Sequence, residues 1–79
     1  MVEKKIEFAY DEVIDGVKEF VKIVSEYSFD IDIISGRYVI DAKSIMGLFS
    51  LDLSSELTIA IHSDNCGALL ERLDKFIIE

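Results

Sequence analysis

The chain has 79 residues, of which 51% are hydrophobic, and its 16 acidic and 8 basic residues give a formal net charge of −8. A field of that sign repels phosphate backbones, which makes nucleic acid a poor partner. The longest uncharged stretch has eight residues, 44–51, and is far too short to cross a bilayer, so no membrane role is expected. The start resembles no secretory signal, and the single cysteine cannot form an internal disulfide; both favour a cytoplasmic location.

The first half of the chain predicts a strand, a helix and a hairpin. Alternating apolar and charged residues predict a strand over residues 2–8. Asp11 is a candidate N-cap for an amphipathic helix over residues 11–27. The hydrophobic period then returns to two, and a turn at Ser35-Gly36 joins two alternating segments, 29–33 and 37–42, into a predicted hairpin.

The second half predicts a helix, a strand and a further helix. Ser44 is a candidate N-cap for a short apolar helix over residues 44–51. An alternating strand follows at residues 57–62. Ser63 or Asp64 can cap a last helix, with an apolar stripe made of Leu69, Leu70, Leu73, Phe76 and Ile77.

The order β-α-β-β-α-β-α predicts an α+β fold in a single domain of residues 1–79. Each of the four strands has one apolar face that needs a cover, and the helices can supply it from one side. We therefore expect a four-stranded sheet covered on one side by helices.

Residues 41–51 are the most specific piece of the sequence. They read Asp-Ala-Lys-Ser-Ile-Met-Gly-Leu-Phe-Ser-Leu. This stretch resembles the Lys-Ser-Ile-Met-Gly-x-x-Ser-Leu signature around the regulatory serine of the histidine-containing phosphocarrier (HPr) proteins from Gram-positive bacteria. The predicted element order agrees with the HPr fold, an open-faced β-sandwich, over essentially the whole chain. The resemblance implies an HPr-like protein of the sugar phosphotransferase system.

The family's phosphorylation motif, Gly-x-His-Ala-Arg-Pro, does not occur in this sequence. Val13 stands at the position of the family's histidine, and Asp15 stands at that of the arginine. The only histidine of the chain is His62. A phosphoryl group is stabilised by cations and N–H donors, whereas this stretch offers carboxylates. We expect no catalytic residue, no enzymatic activity and no phosphate transfer through a histidine.

Ser44 aligns with the serine that HPr kinase phosphorylates in the family. Two interpretations, a phosphorylation site or only a helix cap, apply to it and can hold together. Lys43 adds a positive charge next to it in the sequence.

Ile45, Met46 and Phe49 match the apolar patch by which HPr proteins dock on partners. The pattern alone fits a core role equally well, and the resemblance favours docking. Residues three apart share a helix face, so we expect Met46 and Phe49 on one exposed side and Leu48 in the core.

Three further features have ordinary structural interpretations. His62 has no second histidine or spaced carboxylate with it, so we expect a surface residue and no metal site. Cys66 has no basic neighbour and is expected to be a small structural residue. The remaining feature is an acidic cluster that can form on one sheet face, for which a solvated surface is the usual interpretation: Asp30, Asp32 and Asp41.

From these observations we expect a regulatory protein-binding module of the HPr family that is not a functional histidine phosphocarrier. Ser44 is its candidate switch, as in the catabolite-repression HPr homologues, which lack the histidine and keep the serine. The expected partners are proteins, such as an HPr kinase or a transcription regulator, and no cofactor is expected. Two alternatives stay open: a phosphocarrier with an unconventional acceptor, such as His62 or a carboxylate, and a self-associating structural domain. The sequence leaves the oligomeric state open.

Overall fold

The predicted order of elements is confirmed. The computed structural model describes residues 1–78, and Glu79, the last residue of the predicted domain, lies outside them. The elements are β1 (Val2–Ile6), α1 (Val13–Val24), β2 (Ile31–Ser35), β3 (Tyr38–Asp41), α2 (Ile45–Phe49), β4 (Leu57–Ile61), α3 (Gly67–Arg72) and a 3₁₀ turn (Asp74–Phe76). One antiparallel sheet has the strand order β1-β4-β2-β3. The molecule is the expected open-faced α+β sandwich. No helix among the described residues is long and apolar enough to span a membrane.

The core lies between the helices and the inward face of the two central strands. The alternation predicted for these strands is confirmed, because their inward residues are fully buried: Ile31, Ile33, Leu57, Ile59 and Ile61. Ala60 was expected on the outer face and is buried as well. Its small side chain lies in a central strand between its cross-strand neighbours Glu3 and Asp32, which shield it from water.

Three phenylalanine rings join three separate parts of the chain. Phe8, Phe20 and Phe76 meet pairwise edge to face, with ring centroids 5.5–5.6 Å apart. This geometry brings the positive ring edge to the negative ring face and contributes about 0.5–1.5 kcal/mol per pair beyond burial. The strand predicted over residues 2–8 ends at Ile6, because the chain leaves the sheet to direct Phe8 into this cluster.

The end of the chain differs from its prediction. The expected last helix stops at Arg72, and Phe76 belongs to the 3₁₀ turn that follows. The Phe76 carbonyl then accepts the Glu7 N–H at 3.0 Å, and the Ile78 N–H donates to the Lys5 carbonyl at 2.9 Å. This segment therefore pairs with the outer edge of β1 instead of continuing the helix.

Two predicted helix caps are wrong. Helix α1 begins after Glu12, not after Asp11, and no side chain within residues 1–78 caps it. Helix α3 begins after Cys66. Ser63 accepts the N–H of Asn65 instead, so it stabilises a local turn, and that bond leaves its side chain unavailable for the helix that starts further on.

Helix α2 packs on β3 at Gly47, where there is no room for a Cβ atom. A Cβ atom at position 47 would lie 2.7 Å from Cγ2 of Ile40 and 3.1 Å from Oγ of Ser44. The Ile40 atom is a branch on a stiff side chain, which cannot easily turn away. The glycine therefore sets both the height of the helix above the sheet and the position of Ser44.

We predict that Gly47→Ala lowers the free energy of unfolding by about 1–2 kcal/mol, because overpacking outweighs the higher helix propensity of alanine. Gly67→Ala is the matched control, since an added Cβ there meets no atom within 4 Å. The control should be neutral or more stable by up to about 1 kcal/mol. Urea denaturation measures the free energy of unfolding of both variants. Equal values would show that the close approach does not affect stability.

Candidate functional site

Ser44 is the N-cap of helix α2, as predicted. Its backbone is extended (φ −99°, ψ 100°), and its Oγ accepts the N–H of Gly47 at 3.2 Å. Its carbonyl accepts the N–H of Leu48 at 3.0 Å. Such a cap stabilises a helix by about 1 kcal/mol. The half-buried side chain thus has a clear structural role, and a role in phosphorylation stays a prediction.

The positive charge of Lys43, which precedes Ser44 in the sequence, forms its hydrogen bonds with other parts of the chain. The ammonium of Lys43 donates to the carbonyls of Tyr27 and Phe29, at 2.6 and 2.9 Å. These bonds tie the start of α2 to the link between α1 and β2. The charge that does lie next to this turn is negative, because Oδ1 of Asp41 accepts the backbone N–H of Lys43 at 2.9 Å.

The apolar side chains of α2 divide between core and surface. Met46 is 80% exposed and Phe49 39% exposed, whereas Leu48 is completely buried. The predicted exposed side of the helix is therefore confirmed, and we call Met46 and Phe49 the apolar spot. Ile45, the third residue of the predicted docking set, is half-buried and packs against the core. Docking itself stays a prediction.

The serines that follow α2 are occupied by local hydrogen bonds. The Ser50 hydroxyl donates to the Gly47 carbonyl at 2.6 Å. Oδ1 of Asp52 accepts both the hydroxyl and the backbone N–H of Ser54, at 2.5 and 3.1 Å. These two bonds, the hydroxyl bond first, hold the pKa of Asp52 below its ordinary value.

The start of α1 carries apolar and acidic side chains in place of a phosphate site. Val13, at the position of the family's histidine, is the first helical residue and packs partly against the core. Tyr10 and Ile14, which the sequence analysis did not single out, are strongly exposed. Ile14 lies off the apolar stripe of α1 that continues through Val17. This offset was the signal in the sequence that Ile14 would be exposed. The carboxylates here are exposed too: Asp11, Glu12 and Asp15.

The open face of the sheet holds the remaining candidates. Nε2 of His62 lies 2.9 Å from Oδ2 of Asp32. These two residues, with Asp30 and Asp41, line a shallow depression of about 250 Å³. Within residues 1–78 no group of three or more histidine, cysteine or acidic side chains is arranged to hold a metal ion. Cys66 is buried, as its structural interpretation requires.

Comparison with known proteins identifies the family. A family model described as "PTS HPr component phosphorylation site" matches residues 17–79, and its match begins directly after the stretch that stands where the histidine motif would be. HPr-C-His from Thermoanaerobacter tengcongensis is 25% identical, with 95% of this chain and 89% of that chain covered and a TM-score of 0.75. A phosphocarrier protein HPr from Bacillus anthracis str. Ames is 26% identical, with 96% and 95% covered and a TM-score of 0.68. No curated protein matches. The chain belongs to the HPr family of the phosphotransferase system.

Proposed function

We propose that this HPr-family chain is a regulatory protein-binding module of the bacterial cytoplasm, acting in catabolite regulation, that carries no phosphate on a histidine. Ser44 is its phosphorylation switch, and an HPr kinase and a transcription regulator are its partners. One observation carries the proposal: the exposed apolar spot lies on the same short helix that Ser44 caps. The helix that bears the histidine in the family has no phosphate acceptor at that position.

The start of α1 is unsuited to receive a phosphoryl group. Valine has no nucleophilic atom, and Val13 packs partly against the core. The exposed carboxylates around it would repel the phosphorylated donor. Since this stretch replaces cations with anions, restoring a histidine alone would not rebuild the site.

The apolar spot has the chemistry of an adaptable docking surface. Methionine is flexible and polarisable, and it fits partner pockets of different shapes. The net charge of −8 favours partners whose apolar pocket has a basic rim. An exposed helix side that presents Met46 and Phe49 therefore fits a small, specific protein interface.

A phosphate on Ser44 would act on partners more than on the fold. It would add a charge of about −1.5 to −2. Lys43, the basic residue next to Ser44 in the sequence, is already bound, because it donates to two backbone carbonyls. The added charge would thus stay on the surface beside the apolar spot. A partner with arginine or lysine residues there would gain charge-assisted hydrogen bonds, and a partner with an apolar or acidic rim would be repelled.

The first test is phosphotransfer. Incubated with phosphoenolpyruvate and enzyme I, the protein should gain no phosphate, because no nucleophile occupies position 13. Intact mass spectrometry is the measurement, and a histidine-bearing HPr is the positive control. A stoichiometric gain that His62→Ala abolishes would overturn the proposal in favour of a carrier with an unconventional acceptor.

The second test maps the modification. With ATP and a Gram-positive HPr kinase, phosphate should appear on Ser44, and Ser44→Ala should abolish it while Ser50→Ala does not. Peptide mass spectrometry locates the site. Modification at Ser50 or Ser54, or none with the kinase of the source organism, would reduce Ser44 to a helix cap.

The third test concerns the apolar spot. Met46→Ala combined with Phe49→Ala should lower the kcat/KM for phosphorylation of Ser44 by at least about tenfold, as expected for the loss of interface anchors. The thermal midpoint should fall only modestly, because Met46 is 80% and Phe49 39% exposed and neither belongs to the buried core cluster. Ile14→Ala, which removes an exposed apolar side chain on α1, is the matched control. If both variants lower kcat/KM equally, or if the double variant unfolds, the apolar spot is not the docking surface.

A further inference from the structure

The two edges of the sheet are not equivalent. The outer edge of β1 is paired with the end of the chain, through the bonds of Glu7 with Phe76 and of Ile78 with Lys5. Within residues 1–78 no strand or terminal segment pairs with the outer edge of β3. An unpaired edge is a template for another strand.

The hydrogen-bond pattern shows which groups this open edge presents. The Ala42 N–H donates to the Ile31 carbonyl at 2.9 Å, and pairing alternates along an antiparallel ladder. The backbone groups of Ile40 thus face β2, and those of Val39 and Asp41 face outward. The Asp41 carbonyl already accepts the Ser44 N–H. The open edge therefore presents both polar groups of Val39 and the N–H of Asp41.

The side chains of β3 do not protect this edge. Proteins commonly guard an edge strand with lysine, proline or a bulge, and β3 reads Tyr-Val-Ile-Asp. Tyr38 is 59% exposed and Val39 61% exposed. Arg37 comes just before the strand, in the two-residue turn that Gly36 makes possible with its φ of 59°. Its guanidinium lies 5.9 Å from the centroid of the Tyr38 ring.

We propose that two copies of this chain associate edge to edge through β3, antiparallel about a two-fold axis at Val39. In this register Val39 faces the partner's Val39, and the two residues exchange both backbone hydrogen bonds, as their outward groups allow. Arg37 then lies opposite the partner's Asp41 on the same sheet face, and the symmetry provides this opposite-charge pair twice. Oδ1 of Asp41 accepts the Lys43 N–H, which leaves Oδ2 for the guanidinium.

The same geometry limits the assembly to two copies. A strand that joined β3 of one molecule to β1 of the next would produce a polymer, but the end of the chain already pairs with the outer edge of β1 at Lys5 and Glu7. A two-fold contact uses each β3 edge once and closes. The axis is perpendicular to the sheet, so the dimer has one continuous eight-stranded sheet with both helical layers on the same side.

The dimer is weak. A four-residue strand buries far less than the roughly 1,200–2,000 Å² of a stable interface, so association is expected only at high protein concentration. The charge of −8 on each copy opposes association at low ionic strength. About 0.15 M salt shortens the Debye length to about 8 Å and screens this repulsion, while the closer ion pairs persist.

The experiment uses the full chain and charge-reversed variants. Sedimentation velocity from about 0.02 to about 2 mM measures association, and amide NMR spectra over the same range locate the contact. The wild type should dimerise, with the largest shifts at the Val39 and Asp41 amides. Arg37→Glu alone and Asp41→Lys alone should each weaken it at least about tenfold, because like charges then face each other twice. Mixed in equal amounts, these two variants should associate as strongly as the wild type, because both pairs are complementary in the mixed dimer.

Lys18→Glu is the matched control, since it makes the same charge change as Arg37→Glu at an exposed position of α1; it should dimerise like the wild type. Thermal melting checks that each variant is folded. The proposal is overturned if the wild type stays monomeric throughout the range, if the amide shifts fall on β1 or α2, or if mixing the two variants restores no association.

Discussion

The edge-to-face cluster of Phe8, Phe20 and Phe76 is the contact on which the rest of this structure depends. It fixes α1 over the sheet and ends β1, because Phe8 must leave the strand to reach it. It also ends the last helix early, because Phe76 enters the cluster from a 3₁₀ turn. Once Phe76 is held there, the following residues lie beside β1 and pair with it. The cluster thereby decides which edge of the sheet stays open.

Helix α2 depends on a second, smaller constraint. The close approach of Gly47 to Ile40 sets the helix on β3, and Lys43 ties its start to the link between α1 and β2. Both contacts involve the backbone, so the helix has little freedom to move. Ser44 and the apolar spot are thus presented in a fixed geometry, and binding there requires little ordering of the chain.

The features that depend on local hydrophobic periodicity could be predicted from the sequence. Alternation in the four strands and the apolar spacing of the helices were sufficient to predict the order of elements and the fold class. The course of the last residues was missed, because Phe76 and Ile77 have helical spacing while their conformation is decided by hydrogen bonds to β1, far away in sequence. The same difference between local and distant contacts explains which features of the candidate site were predicted. The cap at Ser44 is local and was predicted, whereas the bonds of Lys43 and the burial of Ile45 depend on distant residues.

The hydrogen bonds that hold the Lys43 side chain away from Ser44 determine how a switch at this position would work. A phosphate that paired with a nearby arginine would be neutralised. It could then change partner binding only by rearranging the fold. Here the basic neighbour is held by backbone carbonyls, so a phosphate would change the surface potential directly beside Met46. In the proposed dimer both helical layers lie on one side of the sheet, and two such surfaces face the same direction. A partner with two binding sites would then gain affinity from the second contact without any new interaction, and only at concentrations where β3 edges pair.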